Sequence, residues 1–321
     1  MRAVSATSGV LLLDKPAGLS SSQALQRVRR LLGGIKAGHT GALDPLATGM
    51  LPLCFGEATR IAGILLASRK AYRAVVLLGQ RTDTDDAEGR VIAQRPVPLL
   101  TEDAVDAALA GFTGCVRQVP PAYSALKQEG QPLYRRARRG EAVQAPEREV
   151  VVHLLRRVGF ESPRLSLEIE CGTGFYVRAL ARDLGETLGC GAHLTALRRL
   201  WVEPFRGHAM IGLPQLEAMH AAGEAAALQM QLMDIPAALA HWPQRRLHGS
   251  DAAAIRHGRA IAAPADLPDG GCLLLDALGA PLALARAQAG MLRVLRGFGH
   301  ADAPGAESCP ASRLLPHPRH G

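Results

Sequence analysis

Apolar runs of strand length recur along the chain, separated by segments whose apolar residues repeat at helical spacing. This alternation restricts the fold to a sheet with helices packed against it. Gly9-Val10-Leu11-Leu12-Leu13 reads as a buried strand, and the turn Asp14-Lys15-Pro16-Ala17-Gly18 delivers Ser20-Ser21-Ser22 as a helix cap. In the helix that follows, Leu25, Val28, Leu31 and Leu32 share an apolar face, while Arg27, Arg29, Arg30 and Lys36 face elsewhere. Residues 57–68 read as a second amphipathic helix and 71–78 as a strand. Thr101-Glu102-Asp103 opens a further helix through Leu109, with the acidic first turn that the helix dipole favours. Runs over 150–160 and 165–171 flank Glu161-Ser162-Pro163 as a hairpin. Val177, Leu180, Leu184 and Leu188 then mark a helix ended by Gly189. The expected class is α+β with a mixed or antiparallel sheet.

At 321 residues, 48% of them hydrophobic, the chain has room for one large domain and a smaller one. An alanine-rich helical stretch over 213–230 leads to a boundary near Ala240. The expected division is therefore a main domain over 1–240, a second over 241–300 and a disordered tail over 301–321. Within the second, the short runs 271–275, 281–286 and 292–296, spaced by glycine turns, suit a small β-barrel. Within the first, residues 120–150 form a polar, basic excursion carrying Lys127, Arg135, Arg136, Arg138 and Arg139. The formal net charge is +8 and its excess is arginine, whose planar fork binds phosphate bidentately, so a polyanionic partner is expected, although basicity alone also fits an ordinary protein or a membrane-surface binder. The six cysteines are scattered with no Cys-x-x-Cys pair, which excludes a zinc cluster or a dense disulfide framework. No apolar run approaches membrane-spanning length, and the first is too short for a signal-peptide core. The reading is a cytoplasmic protein without a membrane anchor.

One carboxylate, Asp44, sits in a glycine-bounded loop, Gly38-His39-Thr40-Gly41-Ala42-Leu43-Asp44-Pro45-Leu46-Ala47-Thr48-Gly49. Pro45 restricts Asp44 to extended geometry and keeps it out of a helix. Read from the residues alone, this aspartate is more often a turn or cap residue than a catalyst. The loop lacks the Gly-Lys-Ser/Thr of a phosphate cradle. His39 and Asp44 have no third ligand nearby for a metal.

The segment 36–60 nevertheless closely resembles the catalytic motif of the TruB family of tRNA pseudouridine synthases. Other segments resemble that family's in the same order. Leu13-Asp14-Lys15-Pro16-Ala17-Gly18 is similar to its opening Lys-Pro-x-Gly stretch, and Lys70-Ala71-Tyr72-Arg73 to its second motif. Leu78-Gly79-Gln80-Arg81-Thr82-Asp83 is similar to the run that follows. Pro121-Ala122-Tyr123-Ser124 resembles the base of an RNA-gripping insertion, Gly174-Phe175-Tyr176-Val177-Arg178 the third motif, and residues 188–200 the last motif of the catalytic domain. The resemblance spans residues 9–234, and the C-terminal part resembles a PUA-type barrel in length and pattern. At Gly172-Thr173-Gly174-Phe175 the chain departs from the more usual Ser-Lys-Gly, which removes one positive charge.

The resemblance implies a pseudouridine synthase catalytic domain with a PUA-like C-terminal domain, acting on uridine 55 in the T loop of tRNA. It implies that Asp44 is the nucleophile, that Tyr72 stacks on the base and shuttles a proton, and that Arg178 holds Asp44 ionised. Without it, Tyr72 would pass as a core tyrosine and Arg178 as a solvated residue at a helix start. His39 would stack in the gap left in the RNA loop, Tyr176 and Leu197 would wall the pocket, and Lys15 would belong to the substrate-binding set as a support and not a catalyst. No cofactor and no metal are expected. The partner would be the T-arm stem-loop of tRNA, with no obligatory protein partner and a monomeric enzyme. Rival readings are a guide-RNA-dependent relative, a non-catalytic tRNA-binding chaperone, and a nucleoside hydrolase. The last would want a second carboxylate, for which Asp83, Asp85 and Asp86, read as a solvated acidic turn, are the candidates.

Overall fold

A computed structural model describes residues 8–299 apart from 125, 129, 140, 142 and 144. The expected tail over 301–321 lies outside the described residues. Among those described, a nine-stranded mixed sheet dominates. From one edge its order is Ile211–Gly212, Gly9–Lys15, Thr48–Phe55, Ala192–Val202, Lys70–Leu78, Arg164–Cys171, Arg148–Glu161 and Gly114–Gln118, with Ala37–His39 pairing beside Thr48–Phe55. The contacts of Gly9–Lys15 with Ile211–Gly212 and of Thr48–Phe55 with Ala192–Val202 are parallel, and the other pairs are antiparallel.

Strand side chains alternate between faces, so each strand feeds two cores. Leu11, Leu13, Leu51, Leu53, Tyr72 and Val76 point to a front face covered by Leu25 and Val28 of helix Ser21–Leu31 and by Leu180 and Leu184 of helix Val177–Thr187. Val10, Leu12, Met50, Cys54, Ala71 and Trp201 point to the back. There they share a core with Leu273, Leu275 and Leu284 of the C-terminal sheet. That sheet runs Gln244–Arg246, Gly270–Leu275, Pro281–Gln288, Met291–Gly297, Ile261–Ala262 and forms a PUA-like half-barrel. It alternates as well, with Leu274, Leu282 and Leu292 turned into a separate core of their own.

The expected first helix is present with a complete capping box. Ser20 Oγ accepts from Gln23 N–H, and the Gln23 side chain accepts from Ser20 N–H. The hairpin of Arg148–Glu161 and Arg164–Cys171 is also as read. The single helix expected over 57–68 is instead a 3₁₀ turn, Gly56–Arg60, followed by the short helix Ala62–Leu66. Ala58 and Ile61 are three residues apart and both fully buried in the back core, and a 3₁₀ turn eclipses such positions where an α-helix would splay them. The stretch over 213–230 is broken into Leu213–Ala221 and Ala225–Met230 around Gly223, whose φ is +73°. The basic excursion contains a hairpin, Lys127–Gln128 with Gln131–Pro132, and helix Leu133–Arg138, anchored inward by Leu133. No helix among the described residues is long and apolar enough to cross a membrane.

The sheet closes around the Asp44 loop at Gly49. This residue sits opposite Arg199 in the parallel ladder with φ +97°, and a Cβ there would lie 2.2 Å from the Arg199 carbonyl oxygen. Gly49→Ala should therefore destabilise the chain by at least the ~1–3 kcal/mol of a forced left-handed backbone, read as a lower urea midpoint in equilibrium unfolding.

Candidate active site

The Asp44 loop runs between strands Ala37–His39 and Thr48–Phe55 and is tied to the first strand and first helix by backbone bonds. Gly18 N–H donates to Pro45 O at 2.8 Å, and Ala47 N–H to Asp44 O at 3.0 Å, which closes the turn expected at Asp-Pro. Ser21 Oγ, at the start of the helix, accepts from Leu43 N–H at 2.7 Å and donates to Leu43 O at 3.1 Å. Lys15 lies beneath with no exposed surface. Its ammonium donates to Pro16 O, Leu19 O and Pro45 O at 2.9, 2.6 and 3.4 Å. The Lys-Pro turn and the Asp-Pro turn are thus fastened by one buried cation. Burial pushes its pKa down to about 8, against the pull of Asp44.

Asp44 and Arg178 are 134 positions apart in sequence, yet Arg178 Nε lies 2.9 Å from Asp44 Oδ2. The Nε–H is not aimed squarely at the carboxylate, so attraction between charges holds the pair more than an aligned hydrogen bond does. The guanidinium is fixed by its other nitrogens. Nη1 donates to Thr84 O and Nη2 to Tyr123 O, each at 2.9 Å, and Asp86 Oδ2 is 3.6 Å from Nη1. The Arg178 side chain is 4% exposed, whereas that of Asp44 is 40% exposed. One partner is therefore embedded and the other remains reachable from outside.

The resemblance makes Arg178 the partner that holds Asp44 ionised, and two opposed effects act on that carboxyl. Burial raises the Asp44 pKa above its ordinary 3.8, and this outweighs the Arg178 guanidinium, which lowers it; the neighbouring Asp86 raises it further. Solvent on the open side of the carboxylate limits the rise.

Tyr72 and Leu197, each 8% exposed, share the front core with Leu43 and Val177, which flank Asp44 and Arg178 in sequence. Asp44 is near enough to raise the Tyr72 phenol, although burial is the larger cause. His39 precedes the loop with a buried Nδ1 that has no hydrogen-bond partner, and burial lowers its pKa. Tyr176 caps helix Val177–Thr187, exchanges two hydrogen bonds with Gln118, and carries the Arg148 guanidinium 4.9 Å above its ring. Arg148 also donates to Gly174 O, which places a cation at the turn where the sequence departs from Ser-Lys-Gly.

The acidic turn is not solvated. Asp85 and Asp86 are 8% and 3% exposed, the first ion-paired with Arg182 at 3.1 Å and the second held by Thr84 Oγ1 at 2.6 Å and Glu88 N–H at 3.0 Å. They buttress the arginines of helix Val177–Thr187 and leave Asp44 as the exposed carboxylate of the group. Among the described residues no cluster of His, Cys, Asp and Glu is arranged to hold a metal ion.

Comparison with known proteins agrees with this geometry. The N-terminal domain of TruB family pseudouridylate synthases matches residues 29–177, and the C-terminal domain of tRNA pseudouridylate synthase B matches residues 178–240. The chain belongs to the TruB family. It is 56% identical over 276 residues to a tRNA pseudouridine synthase B of Xanthomonas campestris, covering 86% of this chain and 89% of that one. It is 50% identical over 257 residues to a Pseudomonas aeruginosa protein of the same name, covering 80% and 84%. A Cbf5-Nop10-Gar1 complex contains a chain with the same fold, at TM-score 0.70 and 23% identity, covering 92% of this chain and 86% of that one.

In this TruB-family chain the Asp44 titration has a definite sign. A carboxyl whose folded pKa is raised above 3.8 destabilises the fold when ionised, in full above the raised pKa and not at all well below 3.8. The stability of the natural chain relative to Asp44→Asn should fall as pH rises from about 4 through the raised pKa and level off above it, measured by urea unfolding of both proteins across a pH series.

Proposed function

We propose that this TruB-family isomerase converts uridine 55 in the T loop of tRNA to pseudouridine, acting in the cytoplasm as a monomer with no cofactor and no obligatory protein partner. The observation that carries the reading is Asp44 itself, a carboxylate 40% exposed and paired on its inner side with an embedded guanidinium, next to an aromatic ring. Pseudouridine formation breaks the N1–C1′ bond, turns the uracil and forms C5–C1′, with the C5 proton replaced by one on nitrogen. It has no net redox change and consumes no water. The reaction needs one group to attack the sugar or base, or to take a ribose proton, and a surface to keep the detached uracil. Asp44 supplies the first and Tyr72, with Leu197 beside it, the second. Arg178 keeps the carboxylate placed, since its fork is already fixed by two carbonyls.

The uridine must leave its stack to reach Asp44, at a cost on the order of a few kcal/mol that phosphate contacts have to offset. Arg27 and Arg30 stand exposed on the first helix, while Arg29 is turned inward onto Gly34 O and Ile35 O. In the basic excursion Arg136 and Arg139 share Glu141, at 2.7 Å each. The stand-alone reading is favoured over the guide-dependent one by relatives named tRNA pseudouridine synthase B at 50–57% identity, against 22–23% for chains from H/ACA assemblies.

Asp44→Asn should lower kcat by at least about 10³-fold, the scale of losing a nucleophile or base, while tRNA affinity changes less than about threefold. Carbodiimide labelling of pseudouridine followed by primer extension reads the product, and substantial turnover by the variant would remove Asp44 from that role. A T-arm minihelix with uridine at position 55 should be modified and its cytidine counterpart should not. Its affinity should fall linearly in log–log plots against salt. No product from the uridine minihelix would move weight to the guide-dependent or chaperone readings.

A further inference from the structure

Arg199 is the largest side chain among the fully buried residues, 1% exposed, and neither the reaction nor the motif reading above gives it a task. It lies on strand Ala192–Val202 directly opposite Tyr72 of strand Lys70–Leu78, so the two side chains leave the sheet on the same face. On its other side it pairs in parallel with Gly49, the residue that must lack a Cβ for the Arg199 carbonyl to approach. Its guanidinium reaches over the Asp44 loop at both ends. Nε donates to Met50 O at 2.6 Å and Nη2 to Gly41 O at 3.0 Å. It also lies near the Tyr72 phenol, its cross-strand neighbour: burial raises that phenol's pKa, and the Arg199 charge, the next largest cause, lowers it.

A buried guanidinium is a demanding way to brace a loop, because its charge must be compensated by carbonyls and neighbours. Lys70, whose ammonium donates to Leu66 O and Ser68 O, stands close enough that Arg199 helps to push its pKa down. His39 is lowered by the same charge. An uncharged side chain could pack there without these conflicts. The arrangement makes sense if a fixed fork must hold the loop at a set place beside Tyr72.

We propose that Arg199 is a positioning residue for the reaction, a buried clamp that holds Gly41 O and Met50 O from the strand position opposite Tyr72 and so sets the Asp44 loop at a fixed distance from the Tyr72 ring. The inference rests on the reading of Asp44 and Tyr72 as the reacting groups. Lysine keeps the charge but lacks the planar fork that reaches Met50 O and Gly41 O at once.

The test is Arg199→Lys, with kinetics on the T-arm minihelix and carbon NMR of protein labelled at the tyrosine ring carbon that bears oxygen, the Tyr72 signal being assigned by its loss in Tyr72→Phe. The expected result is kcat lower by roughly 10- to 100-fold with KM altered less than about threefold, the pattern of a reacting pair held slightly out of place. The Tyr72 signal should move while those of Tyr123 and Tyr176 stay. A kcat within about threefold of the natural chain, or an unmoved Tyr72 signal, overturns the proposal. Should the lysine variant fail to fold, the contact is read from Tyr72 instead. The guanidinium nitrogen signals of Arg199 should shift in Tyr72→Phe, which keeps the ring, and unchanged signals overturn the proposal. The NMR arm does not depend on turnover. An active Asp44→Asn enzyme would overturn the underlying functional reading, whereas a Tyr72 indifferent to Arg199 overturns this one.

Discussion

The guanidinium of Arg178 is the point through which the front of the molecule is organised. It keeps its charge in any protein environment, and at 4% exposure it must be compensated from within. Thr84 O and Tyr123 O, from segments far apart in sequence, satisfy two of its nitrogens, and Asp86 and Asp44 balance the charge. The acidic turn, the base of the basic excursion and the Asp44 loop are therefore fixed relative to one another by one side chain. Of these partners, Asp44 alone is substantially exposed. The requirement to neutralise a buried cation leaves a single carboxylate placed, paired and reachable.

The scaffold behind this point is a sheet used on both faces. Its front holds the helices and the site; its back shares apolar residues with the C-terminal sheet, so that Leu273, Leu275 and Leu284 complete a core begun by Val10 and Leu12. Gly299 N–H donating to Glu57 at 2.7 Å adds a polar tie at the same junction. Interdomain contact of this apolar kind restrains relative motion far more than a linker does. The half-barrel is thus a continuation of the catalytic fold, and nucleic acid that touches both meets one body.

Electrostatically, the site balances burial against compensation. Lys15 and Lys70 both give their ammonium groups to backbone carbonyls, and burial pushes each down to about 8. Asp44 is pushed up by the same burial and drawn back by Arg178. Lys15 and Arg178 work against the desolvation of the Asp44 carboxyl, and its open side leaves it accessible.

Much of the architecture was legible in the chain. The period of Leu11, Leu13 and of Tyr72, Ala74, Val76 identifies strands, the Ser20 capping box marks a helix start, and Pro45 keeps Asp44 in a loop, because these are local consequences of side-chain alternation, capping and backbone restriction. The motif resemblance singled out Asp44, Tyr72, Arg178 and Leu197. What local pattern could not decide was anything that depends on who lies across the sheet. Residues 57–68 looked helical, but burying Ala58 and Ile61 at one spot imposed a tighter turn. Asp85 and Asp86 looked like a solvated turn until Arg182 and Arg178 were brought beside them from a helix nearly a hundred residues away. Arg199 stood inside the segment that resembles the family's last motif without a task of its own, since an arginine in a basic run reads as surface, and only the pairing of its strand with those of Tyr72 and Gly49 buries it against the loop. By itself the sequence determined most strands and helices and, through the resemblance, singled out Asp44; the charge environment of that carboxylate was decided by tertiary structure, because burial and long-range ion pairs exist only once distant segments are packed together.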